Sequence, residues 1–259
     1  MNAYSILYQT IEDPGYSAAI SLDQEELNFF RAAIESQWLF AIEKAYPQHL
    51  DKFKQAGIAR YHELADLVDH NTLWNKVNRC LPQETVNKIK SFPFFKRLKK
   101  EFGEFNISDI AFDDQVKVGF EEIYWRLVRP NVASDVGPLH ADKWFHEILH
   151  FDEKILEKGS YTIKIWIPIF CEPGKNGLLM SPNSHKRSWA HTMKVVNGLP
   201  KPVFQDKAEV SLLETHPGNA LIFNEDTLHG GAINKGVKTR VSAEITMVFN
   251  PKPLLPLNN

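Results

Sequence analysis

The chain has 259 residues, 43% of them hydrophobic and 24% charged, enough apolar material for a full core in one large domain or a domain with a helical extension. Its 30 Lys and Arg nearly balance its 32 Asp and Glu, which excludes a general electrostatic attraction to nucleic acid or anionic membrane. The two cysteines, Cys80 and Cys171, exclude a disulfide framework and a thiolate cluster, so any metal must be held by nitrogen and oxygen ligands.

The opening stretch, MNAYSILYQT, lacks the basic flank and long apolar run of a signal peptide, and nowhere do 18 apolar residues follow one another. The expectation is a soluble, cytoplasmic protein. The first hundred residues read as helical. Ser21 followed by Gln24 matches a capping box, and Leu27, Phe30, Ile34, Trp38 and Ile42 then recur at helical spacing until Pro47 ends the run. Shorter helical patterns, broken by Gly57, Pro82 and Pro93, continue to about Phe102. Lys88, Lys90, Lys96, Arg97, Lys99 and Lys100 alternate there with Phe92, Phe94, Phe95 and Leu98, which is the pattern of a solvated helix face over a core rather than a basic binding patch.

From about Glu121 the period changes. EIYWRLVRP, YTIKIWIPIF, AEVSLLE, NALIF and RVSAEITMVF are rich in β-branched and aromatic residues and are separated by Gly, Pro and Asn clusters, so each is predicted to be a strand. Many short strands without regular intervening helices favour a jelly roll or related sandwich over a doubly wound sheet. The exception is Lys143 to Lys158, which reads as a helix inserted between two strands. The expected fold class is α+β with a mainly β core: a helical portion over 1–105 packs on a core over 106–259, the two forming one compact unit.

In extended backbone, residues two apart share a face, so His140 and Asp142 can converge on one ion. A lone His-x-Asp pair arises often by chance. A third ligand is offered by His229, 87 residues beyond Asp142 and just before Gly230-Gly231. Two histidines and a carboxylate on one face of an ion leave the opposite positions open, as iron(II) requires if it is to take a co-substrate and oxygen. Arg240 follows His229 by eleven residues, with Ser242 two further on, and a guanidinium fork beside a hydroxyl can hold a carboxylate. The order His-x-Asp, His, Arg-x-Ser thus supplies both a metal site and an anchor for a dicarboxylate.

The pieces LHAD (139–142), IKIWIPI with NGLLMSPNSHK (163–186), HPGNALIF (216–223) and LHGGAINKGVKTRVS (228–242) resemble the phytanoyl-CoA dioxygenase family of iron(II)/2-oxoglutarate oxygenases, over roughly Glu121 to Phe249. The resemblance implies a double-stranded β-helix (a cupin-like jelly roll), iron ligation by His140, Asp142 and His229, and binding of the far carboxylate of 2-oxoglutarate by Arg240 with Ser242. It implies Fe(II), 2-oxoglutarate and O2 as the reaction's needs, and hydroxylation of a small molecule with release of succinate and CO2. Related halogenases lack the carboxylate that Asp142 supplies here. The turn at 181–185 has Asn183 where the family usually has Gly, and Asn tolerates a left-handed backbone.

A competing motif is His146-Glu147-Ile148-Leu149-His150, which matches the zinc-protease pattern, with Glu172 as an imaginable third ligand. Its apolar residues also suit an ordinary buried helix, or a lid beside the iron from which His146 touches substrate. The alternatives to the oxygenase are therefore a zinc metallohydrolase and a catalytically silent jelly-roll binding protein. Alternation along 161–170 puts Thr162, Lys164 and Trp166 on one strand face, and Tyr124 with Arg126 forms a similar pair; these are candidate substrate contacts. His185, Arg187 and His191 read as turn and surface residues. The expected partner is a small molecule, with neither nucleic acid nor membrane involved, and a homodimer is compatible with the helical portion.

Overall fold

The computed structural model describes residues 5–107, 121–148, 160–196, 199–204 and 206–249, without the side chains of 146–148, 196, 199 and 200. Its helices are α1 (Ile6–Ile11), α2 (Gln24–Ala45), α3 (Leu50–Ala56), α4 (His70–Leu73), α5 (Gln83–Lys90), α6 (Pro93–Phe102) and α7 (Lys143–Ile148). Its strands are β1 (Tyr16–Ser21), β2 (Phe105–Ile107), β3 (Ile123–Val128), β4 (Tyr161–Phe170), β5 (Leu178–Met180), β6 (His191–Val196), β7 (Leu199–Phe204), β8 (Ser211–Leu212), β9 (Asn219–Asn224), β10 (His229–Gly231) and β11 (Arg240–Phe249).

The side-chain period of each element decides where it lies. Along α2, Leu27, Phe30, Ile34, Trp38 and Ile42 are all buried, as their helical spacing predicts. Its start differs from the expectation. Asp23, not Ser21, caps it: the Asp23 carboxylate accepts from Glu26 N at 2.8 Å and the Glu26 carboxylate accepts from Asp23 N at 2.7 Å. A carboxylate is favoured at the positive end of the helix dipole, and Ser21 is taken by β1, which the reading of the first hundred residues as helical missed. Phe94, Phe95 and Leu98 are buried under the basic stretch, whose Lys90, Arg97 and Lys99 pair with Glu121, Glu26 and Glu104.

Among the described residues the strands form an antiparallel sheet ordered β1-β9-β4-β11-β2, with β3 also on β11, and a smaller sheet ordered β10-β5-β8. The pair β6-β7 stands apart as a hairpin that the sequence did not announce, and AEVSLLE contributes only the two residues of β8. The large sheet is buried on both faces. One face presents Ile163, Ile165 and Ile167 of β4 with Val241, Ala243, Ile245 and Met247 of β11 to the core that it shares with α2 and α6. The other presents Trp166, Leu221 and Phe223 to Leu178 and Met180 of the small sheet. Between those two sheets the polar residues of β4 and β11 face inward, which is where the cavity lies.

The α7 helix bears out the start of the predicted 143–158 helix; 149–159 lies outside the described residues. No helix among them is long and apolar enough to cross a membrane. Truncating fully buried Phe30 to Ala should lower the unfolding free energy by about 3–5 kcal/mol, and Asp23→Ala by about 1 kcal/mol. Urea melts check both, and a Phe30→Ala effect below about 1 kcal/mol contradicts this packing.

Candidate metal centre

Three donors converge at one end of the cavity. His140 and His229 face each other in an antiparallel bridge, with His140 N donating to His229 O at 2.9 Å and His229 N to His140 O at 2.8 Å. Gly230 and Gly231 allow the approach: a Cβ at Gly230 would lie 3.3 Å from Pro138 O and Leu139 Cα, and one at Gly231 3.0 Å from Val136 Cβ.

The imidazoles are oriented from behind. His140 Nδ1 lies 2.7 Å from Pro138 O and His229 Nδ1 2.9 Å from Thr227 O. A carbonyl oxygen can only accept, so each Nδ1 carries the proton and each Nε2 presents a lone pair. Both lone pairs meet Asp142, with His140 Nε2 3.6 Å from Oδ1 and His229 Nε2 3.6 Å from Oδ2. The donor atoms of the three residues lie within 4.8 Å of one another, and Asp142 Oδ2 is buried without a hydrogen-bond partner.

Charge follows burial. Desolvation pushes the His229 imidazolium down to about 4, so the ring is neutral and ligand-competent at pH 7. Burial alone would raise the Asp142 carboxyl, but Lys164 and the two histidines outweigh it and hold the group well below the ordinary carboxylate range. Two imidazoles that turn Nε2 inward and a carboxylate with an orphaned oxygen fit a divalent cation.

At the other end, Arg240 opens β11. It is 3% exposed, and burial pushes its guanidinium down to about 10, still a cation at neutral pH. One nitrogen donates to Gly177 O at 3.0 Å; Nε has no partner. Ser242 Oγ, two positions on and fully buried, also lacks one, as does Trp166 Nε1, and the Trp166 ring lies 5.5 Å from the guanidinium carbon. Buried donors left open mark a place for an acceptor group.

The cavity between encloses about 610 Å³ of atom-free space, its open mouth included, and Tyr124, Arg126, Lys164 and Trp166 line it with the ligands and Arg240. Thr162, predicted to share their face, is 3% exposed and does not reach the lining; it stands at the strand end, opposite Val248. Ser242 is not among the lining residues either, and is buried behind them beside Arg240. Glu244 also lines the cavity and sequence reasoning missed it; its alternation with Arg240 and Ser242 on one strand face was the available signal.

Of the competing motif, the His146 side chain and His150 lie outside what the structure describes. Glu172 is engaged elsewhere, its Oε2 accepting from Val237 N at 2.8 Å and Lys238 N at 2.9 Å. His185 and Arg187 serve the framework, His185 Nε2 reaching Ile11 O and Arg187 pairing with Asp206. His191 stacks on Trp144 at 4.3 Å. Asn183 takes the left-handed backbone, φ 60°, that its turn needs.

No family model matches the sequence, and no curated protein matches it. Among solved structures it is similar to the non-heme monooxygenase ThoJ in its nickel complex, at 10% identity over 95% of this chain and 80% of that one, TM-score 0.53. It is also similar to two proteins of nogalamycin biosynthesis. The non-heme alpha ketoglutarate dependent carbocyclase SnoK is 14% identical over 94% of this chain and 83% of that one, TM-score 0.52, and the corresponding epimerase SnoN 12% identical over 94% and 82%, TM-score 0.51. The chain has their fold. Identity that low carries the backbone arrangement and no more.

The unfolded imidazole of His229 takes its proton near 6.5 and the folded one near 4, so acid favours unfolding through that window. Metal-free protein should lose on the order of 3 kcal/mol of stability as pH falls through it. Denaturant melts at stepped pH check this. His229→Gln should flatten the slope; an unchanged slope contradicts a buried neutral His229.

Proposed function

We propose that this protein is an iron(II)- and 2-oxoglutarate-dependent oxygenase acting on a small molecule, and that its two facing sheets form a double-stranded β-helix. The observation that carries the reading is the pairing, within one cavity, of a converging His140, Asp142 and His229 with a buried Arg240 whose Nε is unsatisfied. A metal site alone suits many chemistries. A metal site facing a buried, part-satisfied arginine and an orphaned serine suits a metal ligand with a carboxylate at its far end.

Each residue then has a task. His140, Asp142 and His229 hold the cation. Arg240 and Ser242 grip the far carboxylate, and Trp166 lies along the chain between. Iron(II) with 2-oxoglutarate and O2 supplies oxidative decarboxylation to succinate and CO2 coupled to oxidation of a substrate carbon. The chain's part is to orient the two organic reactants and keep water from the buried half of the cavity. Asp142 fills the position that a halide would need, so hydroxylation is the outcome we favour. The presence of a carbocyclase and an epimerase on this fold is consistent with one site type serving several outcomes.

Anaerobic addition of Fe(II) and 2-oxoglutarate should produce the visible charge-transfer band of a chelated keto acid, and Arg240→Ala should weaken 2-oxoglutarate binding by about 100-fold or more while metal uptake is kept. Loss of both together contradicts the anchor role. Keto-acid affinity without succinate release against any substrate panel would identify a silent binder instead, and metal uptake that survives His140→Ala but not His146→Ala would favour the hydrolase.

A further inference from the structure

Neither the metal donors nor the Arg240 anchor uses a charge pair on the cavity floor. Glu244 lies on the face of β11 that carries Arg240 and Ser242, opposite Tyr124 on β3 and Trp166 on β4. Arg126 stands opposite Ser242, and its Nε meets Glu244 Oε1 at 2.8 Å. Its Nη2 lies 3.3 Å from the Tyr124 hydroxyl. Both partners line the cavity, Arg126 with 46% of its side chain exposed and Glu244 with 16%.

Register orders these groups along the cavity. Phe223, whose ring packs 4.6 Å from that of His229, is opposite Lys164, and Lys164 is opposite Thr246. The metal donors therefore stand at the Thr246 end of β11 and Arg240 at the other, with Glu244 and Ser242 between. Along the strands, a molecule that spans from the metal donors to Arg240 passes the level of Glu244, and Arg126, opposite Ser242, stands two residue pairs nearer the Thr246 end than Arg240, which is opposite Val128.

That arrangement poses two problems which the pair solves together. An unpaired Glu244 would repel a dianion in a cavity of low dielectric. An unpaired Arg126 would be a second anion anchor, two residue pairs closer along the strands to the donor end, suited to a shorter diacid. Of the other cations on this face, Lys164 donates to Thr246 Oγ1 at 2.7 Å, and Arg240 has no ion-pair partner among the described residues.

We propose that the Arg126–Glu244 pair sets the chain length of the co-substrate: by occupying Arg126, Glu244 leaves Arg240 as the anchor, so that a five-carbon 2-oxo diacid is accepted and a four-carbon one is not. The two are positioning residues for the acid, and the proposal rests on the oxygenase reading above.

Binding of 2-oxoglutarate and of freshly prepared oxaloacetate to the Mn(II)-loaded full chain, measured anaerobically by tryptophan quenching and thermal shift, tests it. Metal uptake is measured separately and folding checked by circular dichroism. Wild-type protein should prefer 2-oxoglutarate at least about tenfold, and Glu244→Gln should raise oxaloacetate affinity about tenfold while moving 2-oxoglutarate affinity less than about threefold. Arg126→Gln should weaken 2-oxoglutarate binding about tenfold, and adding Glu244→Gln to it should restore most of that loss. An unchanged preference in Glu244→Gln overturns the proposal. So does a double variant as weak as Arg126→Gln, which would make Arg126 a direct ligand of the acid. Wild-type protein that takes up Mn(II) but neither acid removes the oxygenase reading itself, and this proposal with it.

Discussion

The site depends on one backbone contact, the two-bond antiparallel bridge between His140 and His229. Side chains from positions 89 residues apart cannot present lone pairs to one point unless their backbones are fixed to a fraction of an ångström, and two hydrogen bonds of 2.9 and 2.8 Å do that. Once the bridge exists, Asp142 follows from chain geometry, two residues on and turned to the same two imidazoles. The strand that carries His229 is fixed in turn by its neighbours: Leu228 N donates to Ser184 Oγ at 2.8 Å, Leu228 O accepts from Ser181 N at 2.9 Å, and Thr227 Oγ1 donates to Gly15 O at 3.0 Å. The turn at 181–185 is thus part of the scaffold that holds the three candidate donors.

Periodicity and residue chemistry were legible in the sequence. The buried stripe of α2, the two-faced strands β4 and β11, and the His140, Asp142, His229 and Arg240 set could each be read because a 3.6- or 2-residue period, or a fixed order of ligand types, survives without knowledge of neighbours. What could not be read depends on partners distant in sequence. The segment YSAAIS became β1 because β9 offered an edge, and its exit displaced the cap of α2 from Ser21 to Asp23. Register was equally invisible. Arg126 could be singled out on its own strand, but its pairing with Glu244 follows from β3 lying beside β11 in one register; a slip of one residue would have turned Glu244 to the apolar core.

The helical layer contributes more than a cover for the sheet, because it reaches the Arg240 end of the cavity by two routes. Asp135, in the loop between β3 and His140, is clamped by Arg129, whose Nη2 and Nε donate to it at 2.7 and 2.9 Å, and by Arg129 N at 2.9 Å; Arg129 directly follows Val128, the partner of Arg240. His70 at the start of α4 sets its Nε2 3.7 Å from the same carboxylate and its Nδ1 2.9 Å from the Tyr61 hydroxyl. Burial pushes the His70 imidazolium down, so near neutral pH the Asp135 charge is met by Arg129 while His70 acts as a neutral strut. Thr239, immediately before Arg240, donates its N–H to Ala59 O at 2.8 Å, and its Oγ1 accepts from His62 N at 3.1 Å. Residues 59–70 therefore touch both the loop that leads to His140 and Thr239, which precedes Arg240. The loop of 129–139 is held from the strand side by Asn131 N donating to Asn234 O at 2.8 Å and by Val136 packed on Gly231; the contacts from the helical layer add a second set, joining that loop and the start of β11 to the same run of helical residues.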